Sequence, residues 1–232
     1  MVLYLVLTVP ALLFSLYAQW KVTSTYNKYA QVRSGRNMNG SDVARVLMRN
    51  ENLMHVGVET TPGMLTDHYD PGAKVIRLSD GSQAPSVAAM AIVAHELGHA
   101  AQDQQGYAWL RVRSGIVPLA NLGSTLGMLL FFGGMLLAGF ANSGLGMSVA
   151  WAGVALMSVA VVFTLVTLPV EFDASNRARA MLQRNGLVTA DEAAGVDAVL
   201  NAAALTYVAA AAQAVSQLLY WVLMLTGMRR EE

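Results

Sequence analysis

The sequence predicts a mainly α integral membrane protein, about four transmembrane helices with a small α+β unit between them. Two observations predict it. Hydrophobic residues make up 55% of the 232 positions and charged residues only 13%, about half the charged share of an ordinary soluble domain. The apolar residues are also gathered into four long stretches, and almost all charges lie in two segments between them.

The first stretch, 1–20, is long enough to cross a bilayer, which takes roughly 20 residues. Met1 to Tyr4 carry no Lys or Arg, and the apolar run exceeds the core of a secretory signal, so a retained anchor is expected rather than a cleaved leader. The second and third stretches, 115–140 and 148–170, flank a short connection, Ala141 to Met147, with Asn142, Ser143 and two glycines. They read as a hairpin of two spans. The fourth, 203–228, is strongly apolar from Leu218 to Leu225 but milder around Ala209 to Gln217. It is expected to span, with a buried or interfacial helix as the alternative.

Two polar segments remain, 21–114 and 171–202. An even number of spans separates them, so they share one side of the membrane. Ten of the fifteen Lys and Arg fall in the first and three in the second, while Arg229 and Arg230 fall opposite. The positive-inside rule, applied to residues near the spans such as Lys21, Lys28, Arg111 and Arg113, makes both segments cytoplasmic. Within them, Ser41 and Asp42 start a helix running to about Arg49. His55 to Glu59 and Lys74 to Ser79 are short strands, with a turn at Asp70-Pro71-Gly72 before the second. A longer helix runs from about Ser86 to Gln104 and stops near Gly106.

Several function classes are excluded. A net charge of zero and the absence of a basic run with interleaved aromatics argue against nucleic acid. No cysteine is present, which removes disulfides, thiol catalysis and thiolate ligands. The predicted spans contain no Asp, Glu, Lys, Arg or His, the usual markers of an ion pathway.

The chemistry sits in the longer helix, at His95-Glu96-Leu97-Gly98-His99. Residues four apart on a helix lie one above the other, so both imidazoles reach one ion at about 2.0–2.1 Å. Glu96, one position round from His95, is placed to take a proton from water activated beside that ion. Gly98 admits close approach of a substrate or of the wall facing the ion. The apolar run from Val87 to Ala94 requires burial, which separates this helix from a solvated surface helix carrying two histidines by chance. That run is also far too short to cross a bilayer.

A catalytic site needs a third protein ligand. A downstream histidine fails as the source, because Gln102 and Gln105 occupy the relevant positions. The better candidate is Glu171, directly after Pro169 and Val170, opening the helix that carries Asp173, Ser175, Asn176 and Arg177. Asp173 is the fallback. Two histidines with a distant glutamate make a zincin-like site of the gluzincin-like kind. Asp173, Ser175 and Asp103 are candidates to orient the histidines.

These residues resemble the YugP-like family of neutral zinc metallopeptidases. The likeness is carried by Thr66-Asp67-His68-Tyr69-Asp70-Pro71, by Lys74 to Ser79, by Ser86 to Asp103 and by Pro169 to Arg179, and it runs through most of the chain. More distantly the chain is similar to the HtpX heat-shock membrane proteases and the CAAX prenyl proteases. The resemblance implies one zinc ion, the ligands His95, His99 and Glu171, and Glu96 as base. It also implies that the strand after His68 and Tyr69 pairs with an extended substrate, which makes His68, Tyr69 and Arg177 candidates to stabilise the oxyanion. One position departs from the distant relatives: Ser175 stands where they carry an Asp that orients a metal-binding histidine.

The expected activity is therefore zinc-dependent peptide hydrolysis at the cytoplasmic face of the cell (inner) membrane by a multi-pass protein. A peptide or membrane protein is the substrate and the lipid bilayer the surroundings. The alternative is a catalytically silent zinc-binding scaffold, which would need the ligands but not Glu96.

Overall fold

A computed structural model of the chain describes residues 2–141 and 144–228. Asn142 and Ser143 of the predicted hairpin, and Arg229 and Arg230 of the charge argument, lie outside the described residues. The elements run α1 (Val2–Ala30), α2 (Gly40–Asn50), β1 (Gly57–Thr60), β2 (His68–Asp70), β3 (Val75–Leu78), α3 (Val87–Gln104), α4 (Ala108–Ala141), α5 (Gly144–Arg184) and α6 (Ala190–Met228). Four of these helices, α1, α4, α5 and α6, are long and apolar enough to cross a membrane. Each extends beyond the apolar stretch that predicted it.

The chain divides into two compact units. One comprises Met1–Tyr17, Val112–Leu168 and Tyr207–Glu232. Its packing is aromatic and small-residue: Phe131 lies 4.5 Å from the Trp221 ring, and Tyr4 meets Tyr220 edge-on at 4.9 Å. Gly153 lets α4 and α5 touch, since a Cβ there would fall 2.5 Å from the Phe131 amide nitrogen. Leu12, Leu16, Leu129, Leu136 and Phe140 are exposed, the pattern of a surface solvated by lipid.

The other unit comprises Ala18–Arg111 and Pro169–Thr206. Its core gathers Val43 and Leu47 of α2, Ile76 and Leu78 of β3, Val87 to Leu97 of α3 and Met181, Leu182 and Leu200 of α5 and α6. Helix α2 begins one residue before the predicted start. Asn39 caps it and Asp42 closes a capping box, satisfying two backbone donors left over at the first turn. The three strands form a sheet in the order β1-β3-β2, β1 parallel and β2 antiparallel to β3. Strand β2 was not predicted: at three residues it is too short to show alternation.

The segment before β2 is pinned by Asp67. Its carboxylate accepts from the Ser79 amide at 2.8 Å, the Ser79 hydroxyl at 2.6 Å and the Ser82 hydroxyl at 2.6 Å. Both serines are buried. Asp67→Ala strands three donors, and thermal unfolding of the solubilised protein is expected to show a loss of about 1–3 kcal/mol. Asp70 shapes the next turn, accepting from the Gly72 and Ala73 amides and from Arg77. The Arg77 guanidinium, with those amides, holds the Asp70 carboxyl down to about 2. Its contribution to stability is thus complete above the ordinary carboxylate range and is lost progressively as pH falls from that range through about 2.

One expectation is corrected. Glu171 does not open a helix: α5 runs unbroken from Gly144 to Arg184 with Pro169 inside it. Proline lacks the N–H for one helical bond, but long apolar helices tolerate that loss.

Candidate metal centre

Helix α3 is built to be buried. Ser86 caps it, accepting from the Ala89 amide, and Ala, Val, Leu, Ile and Met fill eleven of its eighteen positions. Tyr107 N–H closes back on the Gln102 carbonyl while Gly106 takes a positive φ of 62°, the glycine stop expected at a helix C-terminus. The motif side chains thus sit in a protein interior rather than in solvent: Glu96 and His99 are each 8% exposed.

Glu171 of α5 comes to this helix and is 2% exposed. Its Oε2 lies 3.2 Å from His95 Nε2 and 3.5 Å from His99 Nε2. One ligand atom from each of the three lies within 4.8 Å of the others. Tetrahedral coordination at about 2.0–2.1 Å would place neighbouring ligand atoms about 3.3–3.4 Å apart. The two carboxylate–imidazole distances match.

The hydrogen-bond inventory supports the same fit. Gln102 Nε2 donates to the Val170 carbonyl at 2.7 Å and to Asp173 at 2.8 Å, so its Oε1 is the atom 3.0 Å from His99 Nδ1. That oxygen only accepts. His99 Nδ1 must carry the proton, and its Nε2 presents a lone pair to Glu171. Ser175 Oγ stands 3.2 Å from His95 Nδ1, and a hydroxyl there can accept that ring's proton and leave its Nε2 open as well. With Nδ1 protonated on both rings, two lone pairs and a carboxylate converge, an arrangement that calls for a cation. The proton affinity of His99 reflects it: burial opposes a charge there, but Glu171, with smaller help from Glu96 and Gln102, overrides burial and raises the pKa.

Glycine makes the approach of the two helices possible. A Cβ on Gly98 would lie 2.5 Å from the Ala174 carbonyl oxygen and 3.1 Å from its Cα. The wall that Gly98 admits is the backbone of α5, three residues past Glu171.

Glu96 lies beside the three donors, with Oε2 accepting the Tyr69 amide at 2.8 Å. The oxyanion candidates are otherwise engaged. Tyr69 Oη donates to Asp103 at 2.5 Å, and burial, then that carboxylate, raises the phenol's pKa well above its ordinary value. His68 spends its ring nitrogens on the Thr66 carbonyl and on Arg77. Arg177 binds Asp173 at 2.5 Å and Gln105 at 2.7 Å. Asp173 serves Gln102 and Arg177 rather than a histidine, and Asp103 serves Tyr69 and Lys74.

Gln102 is the residue the sequence reading passed over, as an obstacle to a different ligand pattern. Its signal was its spacing, three residues after His99 and therefore on the same helix face. Gln102→Ala is expected to weaken zinc binding about 10- to 100-fold, measurable by competition with a chelating dye.

A buried cluster of two imidazoles and a carboxylate that could hold a metal ion, in a chain with four helices long and apolar enough to cross a membrane, is the arrangement expected of a membrane metalloprotein. The chain belongs to the family described as "Putative neutral zinc metallopeptidase", which matches residues 4–226. It is similar to the protein described as "Putative membrane protease YugP" of Bacillus subtilis (strain 168), with 42% identity over 230 residues covering 99% of each chain. No solved structure matches it.

Proposed function

We propose that the chain hydrolyses peptide bonds with one zinc ion held by His95, His99 and Glu171, using Glu96 as general base, at the cytoplasmic face of the membrane. The observation that carries this reading is the convergence of the three donors at 3.2 and 3.5 Å on a helix that also presents Glu96. When bound, zinc supplies the Lewis acidity that polarises the scissile carbonyl and acidifies a water. The chain's residues do the rest. Gln102 and Ser175 hold the two imidazoles in the tautomer that leaves Nε2 open. Glu96 takes the proton of the attacking water on one carboxylate oxygen while the Tyr69 amide holds the other. It then returns that proton to the leaving amine. Burial of the site keeps competing water from screening these charges.

Orientation follows from the basic residues flanking the spans. The chain has no cysteine, so single introduced cysteines are clean reporters. Arg45→Cys should react with a membrane-impermeant thiol reagent only after cells are opened, and Leu145→Cys should react on intact cells; the reverse pattern overturns the cytoplasmic assignment. For the site, Glu171→Ala is expected to lose stoichiometric zinc and all casein cleavage. A Glu171→Ala protein that keeps both would refute the ligand set.

A further inference from the structure

The face of α3 that carries Glu96 also carries Asp103, seven residues and two turns later. Both carboxylates grip the same residue. Glu96 Oε2 accepts the Tyr69 backbone amide at 2.8 Å, and Asp103 Oδ2 accepts the Tyr69 hydroxyl at 2.5 Å. Tyr69 is the middle residue of β2, which lies at the edge of the sheet. Its neighbours on the other side are fixed: Tyr69 pairs with Ile76 of β3, and Ile76 is fully buried. Lys74, just before β3, contacts the Asp103 carboxylate at 2.5 Å, so the anchor is itself held.

We infer that Tyr69 and Asp103 are positioning residues: their hydrogen bond locks strand β2 onto α3, and the Tyr69 amide thereby aims the Glu96 carboxylate. The inference rests on Glu96 being the base and deepens that reading. It reassigns Tyr69 from oxyanion donor to clamp, because the phenol proton is already given to Asp103. Without the clamp, a three-residue edge strand has one ladder to hold it, and Glu96 loses the donor that fixes one of its oxygens.

The test uses the full-length protein with zinc bound. Tyr69→Phe removes only the hydroxyl, and Asp103→Ala removes its acceptor. Each is expected to lower kcat about 10- to 100-fold, the scale of a small misplacement of a reacting group. KM should stay within about twofold and zinc at one equivalent. The double variant should be no slower than the slower single, since both break one bond. Asp103→Asn, which keeps an oxygen for the phenol, should recover most of the rate. In Asp103→Ala, hydrogen exchange at the Tyr69 amide should quicken at least about tenfold as local protection is lost.

Unchanged kcat, additive losses, no recovery in Asp103→Asn, or unchanged exchange at Tyr69 would each overturn the clamp. Glu96→Gln run alongside separates the two readings. If it is as active as the parent, the base itself is wrong. If it is inactive while Tyr69→Phe is fully active, only the clamp is wrong.

Discussion

Glu96→Gln is expected to reduce kcat for peptide hydrolysis about 100- to 10,000-fold, the range attributed to general acid–base catalysis, while zinc content stays at one equivalent. The substitution keeps shape and the acceptor for the Tyr69 amide but cannot take a proton. Its carbonyl oxygen can still meet the Tyr69 amide at the 2.8 Å position, so structure and metal should survive. The measurement is casein or peptide-panel cleavage by parent and variant, each with its zinc quantified in the same preparation. Equal cleavage would remove Glu96 from the mechanism. Loss of cleavage together with loss of zinc would show a structural role instead.

Gly98→Ala should also weaken the site, and the sign of its effect depends on two opposed contributions. Alanine favours a helix over glycine by about 1 kcal/mol. Against that, the added methyl would meet the Ala174 carbonyl oxygen at 2.5 Å and its Cα at 3.1 Å. Those are backbone atoms of Ala174, which is itself fully buried, so no side chain can swing aside. Overpacking of this kind costs typically about 1–3 kcal/mol, and the helices must part to relieve it. Parting them pulls Glu171 from histidines it meets at 3.2 and 3.5 Å. The expected result is a lower unfolding temperature and zinc affinity reduced at least about tenfold. Gly98→Val should be worse. Parent-like zinc affinity in Gly98→Ala would mean that the two helices separate without disturbing the donors.

The sequence made the helices and the motif legible because both are local. Four apolar stretches and the four-residue spacing of His95 and His99 need no knowledge of distant partners. Ser86 and Gly106 marked the ends of α3 correctly for the same reason. What escaped was the pairing across elements. Gln102 looked inert in the sequence, and only the close approach of α5 sets its amide between His99 and Asp173. Asp103 reads as a candidate to orient a histidine, and only β2, a strand too short to announce itself, reveals the Tyr69 hydroxyl as its partner. Ser175 was noticed as a departure from relatives, and its hydroxyl faces His95 at 3.2 Å. Pro169 suggested a break that the continuous α5 does not contain, since a proline penalty read locally ignores what the surroundings can tolerate.

The separation of the donors along the chain has a consequence for synthesis. His95 and Glu171 are 76 positions apart, and the whole of α4 and most of α5 lie between them. With Glu171 as the third donor, a nascent polypeptide emerging from the ribosome cannot assemble its cutting centre while only the histidine helix exists. Translation must first deliver two further hydrophobic segments to the insertion machinery. On that ligand set, the metal centre is completed only after the segments that anchor the chain have nearly all been made.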